Sequence, residues 1–233
     1  MFQNNLLMAA ASAIAKPVEI THLGVAVNAD PASSYTYTGQ TLGSASDEMI
    51  VITMSQPDGS GNNAGRVTSA TIDGNSATKA KEQITHPTWP GAVVSMWYYY
   101  GATSSTGTIV VNNTATTSEN ATSIYKVSGA AATPHDTGSD DGPQAAMTDT
   151  LTIPANGGAI GGGVVVATGQ TVSWSWTNLD EDVDAQWQTG YSYTSASKTY
   201  ETLQTNLQIT MTSSHVVIPG QQCMALASWG PPS

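Results

Sequence analysis

Hydrophobic and polar residues alternate along most of this chain, which is the pattern of β-strands that bury one face. The β-branched and aromatic runs are short, glycine, proline, asparagine and aspartate separate them, and helical periodicity is nearly absent after residue 16. The predicted strands are residues 18–27, 33–42, 48–54, 66–72, 92–100, 106–112, 121–128, 149–154, 159–168, 171–176, 184–194, 203–212 and 223–229. Strands of this number and spacing predict an all-β sandwich or barrel, and one domain over residues 17–233 is the simpler interpretation.

Two segments carry more specific local signals. Asp73-Gly74 lies between two alternating runs, and both residues tolerate the positive φ angles of a tight hairpin turn, so we expect a β-hairpin there. Residues 130–148 show no alternation and contain two prolines and two glycines, which predicts a long loop.

The aromatic run at residues 97–100 predicts an interface. Trp97, Tyr98, Tyr99 and Tyr100 cannot all point inward in a strand of period two, so two of the four must face outward or into a neighbour. Tryptophan and tyrosine are enriched at protein interfaces, and we therefore expect a subunit contact here.

Other aromatic residues alternate with polar ones and have two interpretations. Trp174 and Trp176 share one face of a predicted strand, as do Trp187, Tyr191 and Tyr193 if the strand shifts near Gly190. The rings are explained either as core or as a seam between sheets. The alternative is a platform for stacking on carbohydrate.

The N-terminal residues 1–16 differ from the rest of the chain. NNLLMAAASAIA predicts about two turns of helix after an asparagine cap, too short to be stable alone. We expect a short arm or helix that anchors the domain to a particle or to sister subunits. The apolar stretch lacks a preceding basic region, so we do not expect secretion by a signal peptide.

Composition narrows the range of partners. The chain has 10% charged residues, six lysines and arginines spread singly, and a net charge of −11. This predicts no binding to nucleic acid or anionic membranes, because no basic stripe can neutralise phosphates. The single Cys223 permits no internal disulfide and lies in an apolar run, which predicts a buried thiol and allows assembly in the cytoplasm.

The segment DEDVD at residues 180–184 is the strongest candidate for chemistry. Asp180, Asp182 and Asp184 alternate and would share one face of a strand, where a calcium ion could separate their charges. The alternatives are a solvated turn or strand edge, and a carboxylate pair for glycoside hydrolysis. A second acidic group in PHDTGSDDG would strengthen the calcium hypothesis if it approached the first; its members are His135, Asp136, Asp140 and Asp141.

Other catalytic patterns are absent from the sequence. It contains no GxSxG, HExxH or CxxC motif, and the four histidines, His22, His86, His135 and His215, lack the spacing of metal ligands. We therefore expect a protein that is not an enzyme and needs no cofactor, with calcium as the ligand kept open.

Several segments occur in an order that resembles a known family. They are YTYTGQTLG, VTSATIDGNSATK, ATSIYKVSGA, TPHDTGSDDG followed by LTIPANGGAIGGGVVVAT, and ALASWGP. Together they resemble a β-sandwich module of virion structural proteins from tailed bacteriophages and gene transfer agents, over roughly residues 30–230. The opening NNLLMAAAS is similar to the N-terminal segment of small phage virion proteins.

The resemblance implies a virion protein assembled in the host cytoplasm: a capsid decoration (cement) protein, a head fibre or spike, or a tail-tip adsorption protein. It implies an antiparallel β-sandwich of jelly-roll type, contacts with the major capsid protein or other virion proteins, and a homo-oligomer, with a trimer favoured by analogy with decoration proteins. The alternative function is adsorption to glycans of the host surface, with or without calcium. The resemblance supplies no catalytic residues.

Overall fold

The computed structural model describes residues 16–43, 48–58, 65–85, 91–142, 144–167, 170–188, 191–214 and 222–233, and every regular element among them is a β-strand. The strands of the first half are β1 (Glu19–Asn28), β2 (Ala32–Thr41), β3 (Glu48–Asp58), β4 (Val67–Ile72), β5 (Asn75–Ser76), β6 (Thr78–Ile84), β7 (Gly91–Tyr100), β8 (Thr106–Thr117) and β9 (Asn120–Ser128). Those of the second half are β10 (Asp136–Gly142), β11 (Ala146–Ile153), β12 (Gly157–Val166), β13 (Trp174–Thr177), β14 (Asp180–Gln188), β15 (Tyr191–Tyr200), β16 (Gln204–Ser213) and β17 (Gln222–Trp229). The all-β prediction is confirmed.

The strands form four antiparallel sheets. Sheet A has the order β1-β9-β3-β7-β6, and sheet B has the order β2-β8-β4-β5. Sheet C has the order β10-β17-β12-β15-β14, and sheet D has the order β11-β16-β13. Sheets A and B come from residues before 130, whereas sheets C and D come from residues after it.

The two halves of the chain repeat one strand arrangement. In the first half β1 pairs with β9, β2 with β8 and β3 with β7, so the first strand pairs with the last and the pairing is nested. In the second half β10 pairs with β17, β11 with β16 and β12 with β15. Apart from the two-residue strand β5, each strand of the first half has an equivalent in the second. The repeat is not evident in the hydrophobic pattern of the sequence.

Buried side chains place the four sheets in the layer order B, A, C, D. One apolar cluster joins sheets B and A and includes Tyr35, Ile52 and Ile109. Another joins sheets C and D and includes Leu151, Ala159 and Ile209. Two further clusters lie between sheets A and C, around Tyr98 with Trp229 and around Val94 with Val164. Sheets A and C are therefore covered on both faces.

Strand β12 shows how packing on both faces of a sheet restricts the size of its side chains. All ten residues, GGAIGGGVVV, are buried. A Cβ atom at Gly162 would lie 2.9 Å from Cβ of Thr53 in sheet A, and one at Gly161 would lie 2.8 Å from the ring of Trp176 in sheet D. The glycines are needed because neighbouring layers approach the strand closely from both sides.

Several local predictions are decided by the strand bounds. The hairpin is confirmed, since Asp73 and Gly74 have φ angles of 52° and 79° and Ile72 pairs with Asn75. The prediction of a long loop at 130–148 is wrong, because this segment contains β10 and the start of β11. The prediction of a single strand at 184–194 is also wrong, because this segment is shared between two strands, β14 and β15. The predicted arm, except for Lys16, lies outside the described residues, and the extent of the domain stays a prediction.

Candidate functional site at the junction of the two halves

The acidic segment DEDVD begins β14, the last strand in the order of sheet C. Asn178, in the left-handed region with a φ of 69°, turns the chain into it. The three aspartates have separate partners. Asp180 forms an ion pair with Lys198 at 2.9 Å, and Asp184 accepts a hydrogen bond from the backbone N–H of Trp174 at 3.1 Å. The segment is a strand edge, as one of the sequence interpretations expected.

A β-bulge gives Asp182 a different position from its neighbours. The pairing of β14 with β15 shifts between Glu181 and Val183, so Asp182 is the extra residue. Its Oδ2 accepts hydrogen bonds from Ser197 Oγ at 2.7 Å and from Tyr125 Oη at 3.1 Å. Because Ser197 belongs to sheet C and Tyr125 to sheet A, this carboxylate connects the two halves.

His22 completes a polar group that we call the junction cluster: His22, Tyr125, Asp182 and Ser197. The centre of the His22 ring lies 5.0 Å from that of Tyr125, with 50° between the planes. Strand β1 has its own bulge here, between His22 and Gly24. The Nε2 atom of His22 is buried and has no hydrogen-bond partner among the described residues.

The electrostatics of the junction cluster are dominated by burial. Burial lowers the pKa of His22, and the nearby Asp182 charge opposes this shift. Burial raises the pKa of Asp182, against the hydrogen bonds from Ser197 and Tyr125. It also raises the pKa of Tyr125. At neutral pH His22 is therefore uncharged, and the cluster holds the halves together by hydrogen bonds to a carboxylate, without a histidine–aspartate ion pair.

A second link between the halves lies beside the junction cluster. The Ser195 hydroxyl on β15 donates to the Ser123 hydroxyl on β9 at 3.0 Å, and both residues are buried. Local sequence pattern does not predict these contacts of the two serines, Tyr125 and His22, because each contact joins strands that are far apart in the chain.

The acidic residues of PHDTGSDDG act as acceptors for main-chain N–H groups. Strands β10 and β11 belong to different sheets, and aspartate carboxylates bridge them where no ladder forms. The bonds run from Thr152 N to Asp136 at 2.7 Å, from Ser139 N to Asp149 at 2.6 Å and from Thr148 N to Asp140 at 2.8 Å. Asp141 accepts a bond from Gln83 Nε2 at 2.6 Å, which ties β10 to sheet A.

The two acidic groups do not converge. Strands β10 and β14 are at opposite ends of the order of the five-stranded sheet C, so four strand spacings, about 19 Å, separate them. Among the described residues no three histidine, cysteine, aspartate or glutamate side chains group in a way that could hold a metal ion. Calcium at Asp180, Asp182 and Asp184 stays a prediction. Of the histidines, His86 and His215 lie outside the described residues.

The aromatic run at 97–100 is explained within the chain. Trp97 is 6% exposed and packs between sheets A and B, and Tyr99 packs against the same cluster. Tyr98 is 8% exposed and packs between sheets A and C, whereas Tyr100 is 37% exposed. The prediction of a subunit contact assumed that one face of this strand is open, but sheets of the same chain cover both faces. The contact stays a prediction and needs other support.

Trp174 and Trp176 are core residues, as the first interpretation of them expected. Both pack into the cluster between sheets C and D. Their indole N–H groups donate to Ser192 Oγ at 2.7 Å and Thr194 Oγ1 at 2.8 Å. Those hydroxyls donate in turn to backbone carbonyls of β14, so each buried indole is satisfied through a relay. Trp174 is only 7% exposed, so its ring is explained by core packing and not by stacking on carbohydrate.

An open groove lies where the beginning of β1 meets two turns of the second half. Its volume is about 400 Å³, and its polar lining comes from Glu19, Asn156, Thr199, Tyr200 and Glu201. Main-chain bonds fix this region, since Val18 N donates to Asn156 O at 2.8 Å and Asn156 N donates to Glu201 O at 3.2 Å. We call this feature the β1 groove.

Comparison with known proteins does not assign the chain to a family. No protein-family model matches it, and a search of curated proteins found no significant match. The described part of the chain has no helix long and apolar enough to cross a membrane.

Proposed function

We propose that the protein is a non-enzymatic structural component of a bacteriophage particle, a capsid decoration or head-spike protein that binds the particle and self-associates. We further propose that each half is a jelly roll. The nested pairing in which the first strand joins the last, repeated in both halves, supports this assignment.

The observation that carries the proposal is the succession of four sheets with apolar clusters in all three spaces between them. Buried apolar contacts and buried hydrogen bonds between the layers join two sandwich-like halves. Such a body suits a load-bearing position on a particle surface, because local opening of one sheet requires exposure of a core.

The outer faces of sheets B and D support contact with other virion proteins. On sheet B, Ser34 donates to Asn112 at 2.8 Å, and Asn112 donates to Ser69 at 3.0 Å. On sheet D, the hydroxyls of Thr148 and Thr210 lie 3.1 Å apart. Polar groups that already satisfy one another cost less to bury than charges do, and charged residues are depleted from interface cores.

The test is association with particles. We expect the protein to co-purify with particles at a fixed copy number and the purified protein to sediment as a multimer, a trimer by analogy. Removal of residues 1–16 should abolish attachment without lowering the melting temperature. A monomer that binds no particle in either form would overturn the proposal.

A second candidate function, adsorption to host-surface glycans, is favoured by the β1 groove. It combines a tyrosine ring with carboxylate, amide and hydroxyl groups on one open surface. Binding to a glycan array, with and without a chelator, tests this function and the calcium prediction together.

A further inference from the structure

We propose that the β1 groove binds a short neutral glycan, with Tyr200 as the ring on which one sugar stacks. This inference rests on the second candidate function. A volume of about 400 Å³ is within the range of roughly 300–1,000 Å³ typical of small-ligand sites. The groove is open, as access to an end or branch of a surface polysaccharide requires.

The Tyr200 side chain is fixed before any ligand arrives. Its hydroxyl donates to the backbone carbonyl of Asn178, and its ring packs against the core between sheets C and D. Burial, followed by the nearby Asp180 charge, raises the pKa of Tyr200 to about 12, so the ring carries no charge at neutral pH. A rigid aromatic side chain provides contact area at low cost in conformational entropy.

The polar groups around the ring match the hydroxyls of a sugar. Asn156 lies in the left-handed region with a φ of 56°, and its backbone bonds to Val18 and Glu201 hold it in place. Its amide can both donate and accept, whereas the carboxylates of Glu19 and Glu201 accept from hydroxyl donors. Thr199, also on the lining, adds a hydroxyl.

The charge of the groove selects against acidic sugars. Two carboxylates, Glu19 and Glu201, belong to the lining, and none of its residues is cationic. A sialic or uronic acid would place a like charge beside them. A cationic peptide would be attracted, but its binding would weaken steeply with added salt, whereas that of a neutral glycan would not.

The experiment uses the full-length labelled protein on a glycan array, followed by calorimetric titration with the best neutral oligosaccharide at 50 and 500 mM salt. We expect Glu201→Gln to weaken binding several-fold and Tyr200→Ala to weaken it by about 10-fold or more, as loss of an aromatic anchor does. Tyr200→Phe should retain most of the affinity, because the ring remains. Tyr100→Ala, the same change at an exposed ring on β7, is the matched control and should bind like the parent.

Tyr200 contacts the core, so Tyr200→Ala can lose stability as well as binding. Glu201→Gln, at an exposed residue, avoids this ambiguity because its melting temperature should not change. The proposal is overturned if no neutral glycan binds or if only cationic peptides bind. It is also overturned if Tyr200→Ala, Tyr200→Phe and Glu201→Gln all bind like the parent. Particle attachment is measured on the same variants, so failure of the groove leaves the decoration function separately tested.

Discussion

At the scale of single residues, the bulged Asp182 matters more than its acidic neighbours. Asp180 is 72% exposed and pairs with a lysine that is itself 38% exposed, a contact that water and salt weaken. Asp182 instead accepts the hydroxyl of Tyr125, a residue with no exposed surface. The same short segment therefore contains a surface charge and a structural acceptor, and the sequence alone does not distinguish them.

Replacement of Asp182 by alanine should cost about 1–3 kcal/mol of unfolding free energy, because the buried Tyr125 hydroxyl loses its acceptor. Denaturant unfolding measures the change. Asp180→Ala is the matched control and should cost no more than about 1 kcal/mol. Equal losses from the two substitutions would mean that the bulge does not direct Asp182 into the junction.

His22 should make stability depend on pH. Its pKa is lower in the folded chain than the ordinary 6.5, so the unfolded chain binds the proton more tightly. The contribution of His22 is complete above pH 6.5 and declines as pH falls through that value towards the folded pKa. The raised pKa of Asp182 affects stability in the opposite direction. It favours the folded state at low pH, and this contribution declines as the pH rises from 3.8 through the pKa of Asp182 in the folded chain.

Melting temperatures between pH 8 and 5 test this prediction. His22→Phe keeps a ring against Tyr125 but cannot titrate, so its melting temperature should fall less than that of the parent as the pH is lowered. His135→Gln, at the residue before β10 and away from the junction cluster, should follow the parent. If the melting temperatures of the parent and of His22→Phe fall in parallel as the pH is lowered, His22 is not the source of the pH dependence.

At the scale of elements, the strands that the sequence predicted are those whose side chains pack into a core. Strand β12 was predicted from its valines, and the hairpin from Asp73-Gly74. Strand β10 was missed because DTGSDDG contributes hydrogen-bond acceptors and no apolar face. The division between β14 and β15 was missed because their residues alternate as one run. The bulge at Asp182 depends on a partner strand, which local pattern does not reveal.

The glycines of β12 give an element-scale prediction. Gly162→Ala should destabilise the protein by about 1–3 kcal/mol, because the new methyl group would lie 2.9 Å from Cβ of Thr53. Gly142→Ala on β10 is the control, since its Cβ would meet nothing nearer than 3.7 Å. Denaturation midpoints measure both changes. Indistinguishable midpoints would mean that sheets A and C can separate at little cost.

At the scale of the whole molecule, the repeat explains the composition of the middle layers. Sheets A and C cover one another, so β7, β12 and β17 are buried along almost their whole length and are apolar or small at nearly every position. The aromatic run at 97–100 favoured a partner subunit because four consecutive rings cannot all face one core. In the structure, sheet C from the second half of the same chain packs on the face of sheet A that carries Tyr98.

The contact between the halves predicts that they reassemble. Fragments 1–129 and 130–233 expressed together should co-purify through a tag on either one, because Met96, Tyr98 and Trp229 are buried between sheets A and C. Either fragment alone should aggregate or bind a dye for apolar surfaces. Two fragments that remain separate, soluble and monomeric would contradict the proposed role of this contact.

The nested pairing also determines when the protein can fold during synthesis. Strand β1 lacks its partner until β9 has been made, and β10 waits in the same way for β17. Translation proceeds at roughly 5–20 residues per second, so the first half spends on the order of 5–20 s complete but alone on the ribosome. During that interval the face that carries Met96 and Tyr98 is uncovered. We expect chaperones that recognise apolar β-surfaces to bind the nascent chain there.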